Sequence, residues 1–369
     1  MKAVHRAKRS PINAGKSFFP KVSYVMSAGQ IAPGLGFHPG LPAQDPNSVW
    51  SFGSGRFARG TLPPPLIKAR YGEPMLTRIY NNLPVHRQDN NGFGRNELSL
   101  HFHNGHNGAE SDGASNAFHF PGTFYDYLWG TALARHDHIN TGATDPKASG
   151  PDDSTGLVKV AGDFRELQGT MWFHDHRFFF TAENVYKGNA GMINFYSGPD
   201  RGNEELADGV NLRLPSGKLL GWGNTDFDVN LLVSDLRTDQ GGQLFYDIFN
   251  TDGFLGDLLC VNLSYAPFME VLPRKYRFRI LDACQARFVR LALLDAGGQR
   301  VPMQFVANDG NLMVHPVTVN ELDEQGPGER YDIVVDFSRF GVGDRVQLVN
   351  LLVQINGRKP DQPVTPAAA

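Results

Sequence analysis

Residues 97–104 read ELSLHFHN, and residues 169–180 read GTMWFHDHRFFF. In the first stretch Leu98, Leu100 and Phe102 alternate with Ser99, His101 and His103. Successive side chains of a strand point to opposite faces, so this pattern is a half-buried strand carrying both imidazoles on one side. The second stretch repeats the device with His174 and His176 behind Trp172. Outward from these two, short apolar runs recur from Val22 onward, each closed by Gly, Pro, Asn or Asp, as an all-β chain requires. PPPLIKARYGEPMLTRIYNNLP (63–84) holds strands at Leu66–Ala69 and Met75–Tyr80, and GNAGMINFYSGP (188–199) holds one around Ile193. Further strand text follows in DVNLLVSDL (228–236), KYRFRILDA (275–283) and YDIVVDF (331–337). Helical periodicity is nowhere sustained for three turns, so helix is expected below about 15%, against ~30–35% in an average globular protein.

The chain has 369 residues, enough for two domains with their own cores. Residues 1–21 are a basic tail bearing Lys2, Arg6, Lys8 and Arg9; no apolar segment follows, so no signal peptide is visible. The first domain is expected over 22–200 and the second over 210–352, divided at the polar stretch Ser197–Gly209, with a linker-like tail over 353–369. Asn140–Thr155, rich in Gly, Asp, Ser and Pro, reads as a long surface loop. LTRIYNN (76–82) echoes RFRILDA (277–283), as if one β-sandwich had been duplicated. A net charge of −3 leaves no basic excess for nucleic acid, and no apolar run approaches the ~20 residues of a membrane span. Two cysteines exclude a disulfide scaffold and a Cys-rich metal cluster.

Three His-x-His pairs occur: His101/His103, His136/His138 and His174/His176. If the two pairs that lie in strand text run side by side, four imidazoles converge, a borderline-soft nitrogen set suited to Cu, Zn, Fe or Ni. His136/His138 lies beside the polar loop without strand patterning and reads as solvated. His86, His106, His119 and His315 are isolated and read as surface or core histidines. Cys260 and Cys284 sit in apolar text without neighbouring histidines and read as buried thiols. HExxH, GxSxG, P-loop and EF-hand patterns are all lacking, and the glycines of GSGRFARG (53–60) have the wrong spacing for a dinucleotide turn.

LHFHNGHNGAESDG (100–113) resembles the first copper motif of the multicopper oxidases, and MWFHDH (171–176) resembles the second. The wider text is similar to the bacterial spore-coat laccase and bilirubin oxidase branch, through GTLPPPLIKARYGEP (60–74), GQLFYDIFN (242–250), MEVLPRKYRFRILDA (269–283) and GPGERYDIVVDF (326–337). The resemblance runs from about Val22 to about Asn350 and implies two cupredoxin-like Greek-key β-sandwiches. It implies that His101 ligates a type 2 copper and that His103, His174 and His176 ligate a type 3 pair. It further implies a trinuclear cluster between the first and third domains, where O₂ is reduced to water with electrons from a small phenolic, pigment or metal-ion substrate. Asp112 matches an acidic position associated with proton delivery; as an Asp before Gly113 it equally reads as a turn former. An exported (periplasmic or extracellular) or spore-coat location is what this branch implies.

Two departures stand out. Asn104 replaces the usual glycine after the first His-x-His. The family's His-Pro-x-His-x-His and His-Cys-His motifs are lacking: VHPVTVNEL (314–322) has His315-Pro316 but no later histidine. The type 1 copper site is therefore not encoded in this chain, and the remaining cluster ligands are expected from a missing third cupredoxin domain or a partner subunit, with this chain a fragment, a natural truncation or a split subunit. Other readings of the same residues are a non-catalytic copper-binding or structural cupredoxin-fold protein, and a zinc or iron protein using the four histidines alone.

Overall fold

The computed structural model describes residues 20–131, 149–150, 158–159, 165–217 and 226–367. The His136/His138 pair, most of the 140–155 loop and nearly all of the basic tail lie outside the described residues. The architecture is 39% strand and 3% helix, an all-β cupredoxin-like fold as expected. None of the described helices is long and apolar enough to cross a membrane.

In chain order the first half contains β1 (Val22–Gln30), β2 (Trp50–Ser54), β3 (Ile67–Arg70), β4 (Met75–Asn82), β5 (Leu100–His103), β6 (Phe124–Trp129), β7 (Ser149–Gly150), β8 (Val158–Lys159), β9 (Gly169–Asp175), the short helix α1 (Thr181–Tyr186) and β10 (Ala190–Tyr196). Two four-stranded sheets, ordered β2-β1-β4-β6 and β3-β10-β9-β5, enclose a core that includes Trp50, Phe52, Ile79, Trp129, Phe173 and Phe195. The second half contains β11 (Asp228–Leu236), β12 (Leu258–Val261), β13 (Ser264–Tyr265), β14 (Lys275–Asp282), β15 (Leu291–Asp295), β16 (Met303–Asn308), β17 (Asn311–Val319), β18 (Arg330–Asp336) and β19 (Val346–Asn350). Seven of these form one sheet, ordered β13-β12-β11-β14-β18-β16-β17, while β15 pairs with β19.

The sequence echo marks a real correspondence. LTRIYNN lies in β4, which pairs parallel with β1 and antiparallel with β6. RFRILDA lies in β14, which pairs parallel with β11 and antiparallel with β18. The outer neighbours β2 and β12 are antiparallel to β1 and β11 in the same way. Arg78 and Arg279 occupy matching places, in register with Asp126 and Asp332 respectively.

Strands β9 and β10 are buried on both faces. Met171, Phe173, Ile193 and Phe195 point into the first core, while Thr170, Asn194 and Tyr196 meet the second half. That contact is ionic. Arg277 reaches Asp200 at 2.5 Å and Asp332 at 2.6 Å; Arg279 grips Asp228 at 2.6 and 2.9 Å and donates to the Gly169 carbonyl at 2.7 Å. The Thr170 hydroxyl donates to Asp332 at 2.5 Å and the Tyr196 hydroxyl to Asp228 at 3.0 Å. Residues 197–202, read from their polarity as the start of a boundary, are buried here, because Asp200 carries this network.

The matched arginines give a test. Arg279→Met leaves buried carboxylates uncompensated and is expected to cost about 3–5 kcal/mol in urea unfolding. Arg78, half-exposed in its 2.6 Å pair with Asp126, is expected to cost under about 1 kcal/mol when replaced by Met. Equal midpoints for the two variants would show that the buried network does not hold the halves together.

Candidate metal centre

Alternation in β5 puts Leu100 and Phe102 into the first core and turns His101 and His103 to the opposite face. Antiparallel pairing with β9 sets His101 opposite His174 and His103 opposite Trp172. The chain leaves β9 just before His176, whose backbone N–H donates to Ser99 at 2.5 Å and keeps it beside β5. The structure thus brings together all four histidines of the two motifs. Ring centroids lie 5.3 Å apart for His101–His176, 5.4 Å for His101–His174, 5.6 Å for His101–His103 and 6.0 Å for His174–His176. Candidate donor atoms of His101, His103 and His174 fall within 4.8 Å of one another, slightly wider than the ~4 Å that two bonds of ~2 Å to one ion allow.

Hydrogen bonding fixes which nitrogen is offered. The Nδ1 atoms of His101 and His174 lie 2.7 Å from the carbonyl oxygens of Asp112 and Asp175. A carbonyl only accepts, so each Nδ1 carries the proton and each Nε2 keeps its lone pair for a ligand. Nδ1 of His176 is buried with no hydrogen-bond partner among the described residues. Burial, then the Arg330 charge and the neighbouring imidazoles, push His103 down to about 3. Burial pushes His174 well below its ordinary value and also lowers His176. These rings are neutral at pH 7, the protonation state a metal ligand needs. Neutral, convergent imidazoles with bare nitrogens fit copper by donor type and by arrangement.

Asp112 ends a single 3-10 turn at Ala109–Ser111. Its carbonyl orients His101, and its Oδ1 lies 3.3 Å from His101 Nδ1. Asp112 is thus a turn residue whose carboxylate lies beside the imidazoles. Asn104 takes φ 69, the left-handed conformation that suits a glycine, so its substitution leaves the turn in place. Asp175, between the second pair, points the other way; it accepts from the backbone N–H of Ser99 and Arg177 at 3.0 Å and from Asn184 at 2.9 Å, and burial raises it to about 7. It locks the strand end rather than joining the imidazoles.

Of the isolated histidines, His119 is buried and the exposed His106 lies 3.1 Å from Glu166. Both cysteines are buried and free. Burial pushes the Cys260 thiol up to about 12 and the Cys284 thiol well above its ordinary value, so neither offers a thiolate at pH 7. Among the described residues no cysteine joins a histidine cluster. Two neighbours escape motif reading. Trp172 stacks on His103 at 4.9 Å and lies 4.2 Å from His174, and Arg330 reaches the site from the second half. The signal for Trp172 was its place in the alternation, two residues before His174.

The β-sandwiches and the four convergent imidazoles define a cupredoxin-type fold with a candidate metal centre. No family model matches the chain. Bilirubin oxidase of Albifimbria verrucaria is 29% identical over 300 residues, covering 81% of this chain and 42% of that protein. A laccase of Haloferax volcanii is 32% identical over 343 residues, 85% of this chain and 49% of its own length. The solved structure of the McoA multicopper oxidase of Aquifex aeolicus superposes with a TM-score of 0.62 at 26% identity, over 90% of this chain and 58% of that one. Over most of its length the chain is similar to multicopper oxidases, laccases and a bilirubin oxidase among them. It spans about half the length of the curated relatives it matches.

The depressed histidines make stability depend on pH. His119, lowered by burial to about 4, and His103, lowered to about 3, stay neutral in the folded chain while the unfolded chain takes up protons near 6.5. Their stabilisation is complete above pH 6.5 and is lost as pH falls towards 4 and 3. For His119 alone the shift corresponds to at most about 3 kcal/mol. Urea midpoints should fall from pH 7 to pH 4.5 in the metal-free chain, and His119→Phe should flatten that slope; an unchanged slope would mean that His119 titrates freely in the folded state.

Proposed function

We propose that this chain is the copper-binding portion of a laccase-like multicopper oxidase. The observation that carries the reading is the convergence of four imidazoles, two of them with Nδ1 tied to carbonyls and Nε2 free. In this reading His101 holds a type 2 copper and His103, His174 and His176 contribute to a type 3 pair; copper, when bound, supplies the one-electron redox change and the site for O₂. The fixed tautomers of His101 and His174 spare these rings a reorientation on binding, and burial keeps protons from competing for His103 and His174.

Reduction of O₂ to water consumes protons. Asp112 is assigned their delivery, its carboxylate lying against the His101 imidazole on the part-exposed side of the group. The reducing substrate is a small phenol, pigment or metal ion oxidised at a type 1 copper outside the described histidine group. A further cupredoxin domain or a partner subunit supplies that site and the remaining ligands, and an exported or spore-coat setting belongs to the same reading. Support for a separate type 1 site comes from the two protonated, buried thiols and from the open side of β5, which is the last strand in its sheet.

Two outcomes test the reading. The chain alone should bind Cu(II) without intense blue colour and with negligible phenol oxidation, and His174→Ala should abolish most of that binding in a copper titration followed by electron paramagnetic resonance. Strong blue colour with sustained turnover, or undiminished binding in His174→Ala, contradicts it. In the assembled oxidase Asp112→Asn keeps the backbone carbonyl, so copper content should stay full while turnover drops by about tenfold or more, the scale of a lost proton-transfer group. Full turnover in Asp112→Asn would return Asp112 to a turn-forming role alone.

A further inference from the structure

The turn Gly326–Arg330 of the second half touches the histidine group of the first. Gly328 has φ +89, and a carbon attached to its Cα would stand 3.4 Å from His103 Cε1, 3.8 Å from His103 Nε2 and 3.6 Å from Trp172. His103 is therefore sandwiched, with the Trp172 ring stacked on it at 4.9 Å and this turn against its edge. The turn is rigid. Gly328 N–H donates to the Asp282 carbonyl at 2.8 Å, Glu329 N–H to the Gly326 carbonyl at 3.0 Å and Gln325 Nε2 to the Glu329 carbonyl at 2.7 Å. It is also fastened to β9: Arg330 donates through Nε to the Thr170 carbonyl at 3.0 Å and through Nη1 to the Gly328 carbonyl at 3.0 Å and to Asp309 at 3.1 Å. One guanidinium thus ties the turn to the strand that carries Trp172 and His174.

We propose that the Gly328–Arg330 turn is a positioning element of the metal centre, by which the second half sets the direction of the His103 imidazole. A Cβ at residue 328 would already rest in van der Waals contact with the His103 ring, so a branched side chain there would press on it, and the Arg330 tie holds the turn against β9. The inference rests on His103 being a copper ligand, yet the ring position is readable without metal.

The test uses Gly328→Val in the full chain, with Gly298→Ala as control. Gly298 has a comparable φ of +76 and nothing within 4 Å, so its variant places a side chain at positive φ far from the histidines. In the metal-free chain the His103 Cε1–H resonance, held against the Trp172 ring, should move in Gly328→Val and stay put in Gly298→Ala. With copper, Gly328→Val should lose about 10–100-fold in affinity, the usual scale for groups that orient a ligand, and its paramagnetic resonance spectrum should change. Where valine prevents folding, Arg330→Lys, which removes the guanidinium tie between the turn and the Thr170 carbonyl, supplies the same readouts. An unmoved His103 resonance, or parental affinity and spectrum in the Gly328 variant, overturns the proposal. A parent chain that takes up no copper removes the proposed function, while the metal-free resonance still decides the positioning role.

Discussion

Two buried guanidiniums, Arg277 and Arg279, and three buried carboxylates, Asp200, Asp228 and Asp332, join the halves of this molecule. Removing such groups from water costs several kcal/mol each, and only close pairing returns it. Burial alone pushes the Asp228 carboxyl up, but Arg279 and Arg277 outweigh it and hold Asp228 below the usual carboxylate range. An apolar contact of similar size tolerates sliding by a residue. This one does not, since a one-residue slip would turn the arginines of β14 towards their own core. The network is weak as a source of stability and strong as a setter of register.

The histidine group inherits that register. Strand β9 is the shared element: its inward residues belong to the first core, its outward residues face the network, and His174 continues the outward set. Trp172 lies in a small apolar cluster with Met192, Leu232 and Leu281, which continues the junction towards the imidazoles. Fixing β14 and β18 against β9 therefore fixes Trp172, and Trp172 is the surface on which His103 stacks. The candidate metal centre, encoded by two short motifs in one half, thus rests against residues of the other half as far along the chain as Asp332.

How much of this was legible in the sequence follows from range. The period-two alternation is local, so the strands, the face shared by His101 and His103, and the opposite orientation of Asp175 could all be read from short stretches. Pairing of β5 with β9 was inferable only because each carried the same motif. KYRFRILDA read as a strand, but its arginines gave no sign of burial: Arg78 and Arg279 sit in matching places of a repeated pattern, one at the surface and one buried. What separates them is the partner surface, which strand text does not encode. The burial of Ser197–Gly202 was hidden in the same way, since polar residues that pair inside look like polar residues that face water. Arg330 and Gly328 were hidden for a further reason, because nothing near residue 330 carries a metal-binding motif.

The charges around the group give its two sides different character. Arg330 stands on the His103 side and helps to lower that ring, whereas Asp112 stands on the His101 and His176 side and raises His176 against the effect of burial. A cation entering between them meets a repelling charge towards the second half and an attracting one towards the exposed edge of β5. Desolvation alone would make a half-buried site hostile to any ion; the carboxylate offsets this on the side where His101 remains 23% exposed. Protons and metal ions compete for the same nitrogens, and the buried rings give up that competition in the metal's favour. The polarity of the junction and the chemistry of the histidines are in this way set by the same fold, with the interior side buried beside the Arg330 cation and the outer side part-exposed beside the Asp112 carboxylate.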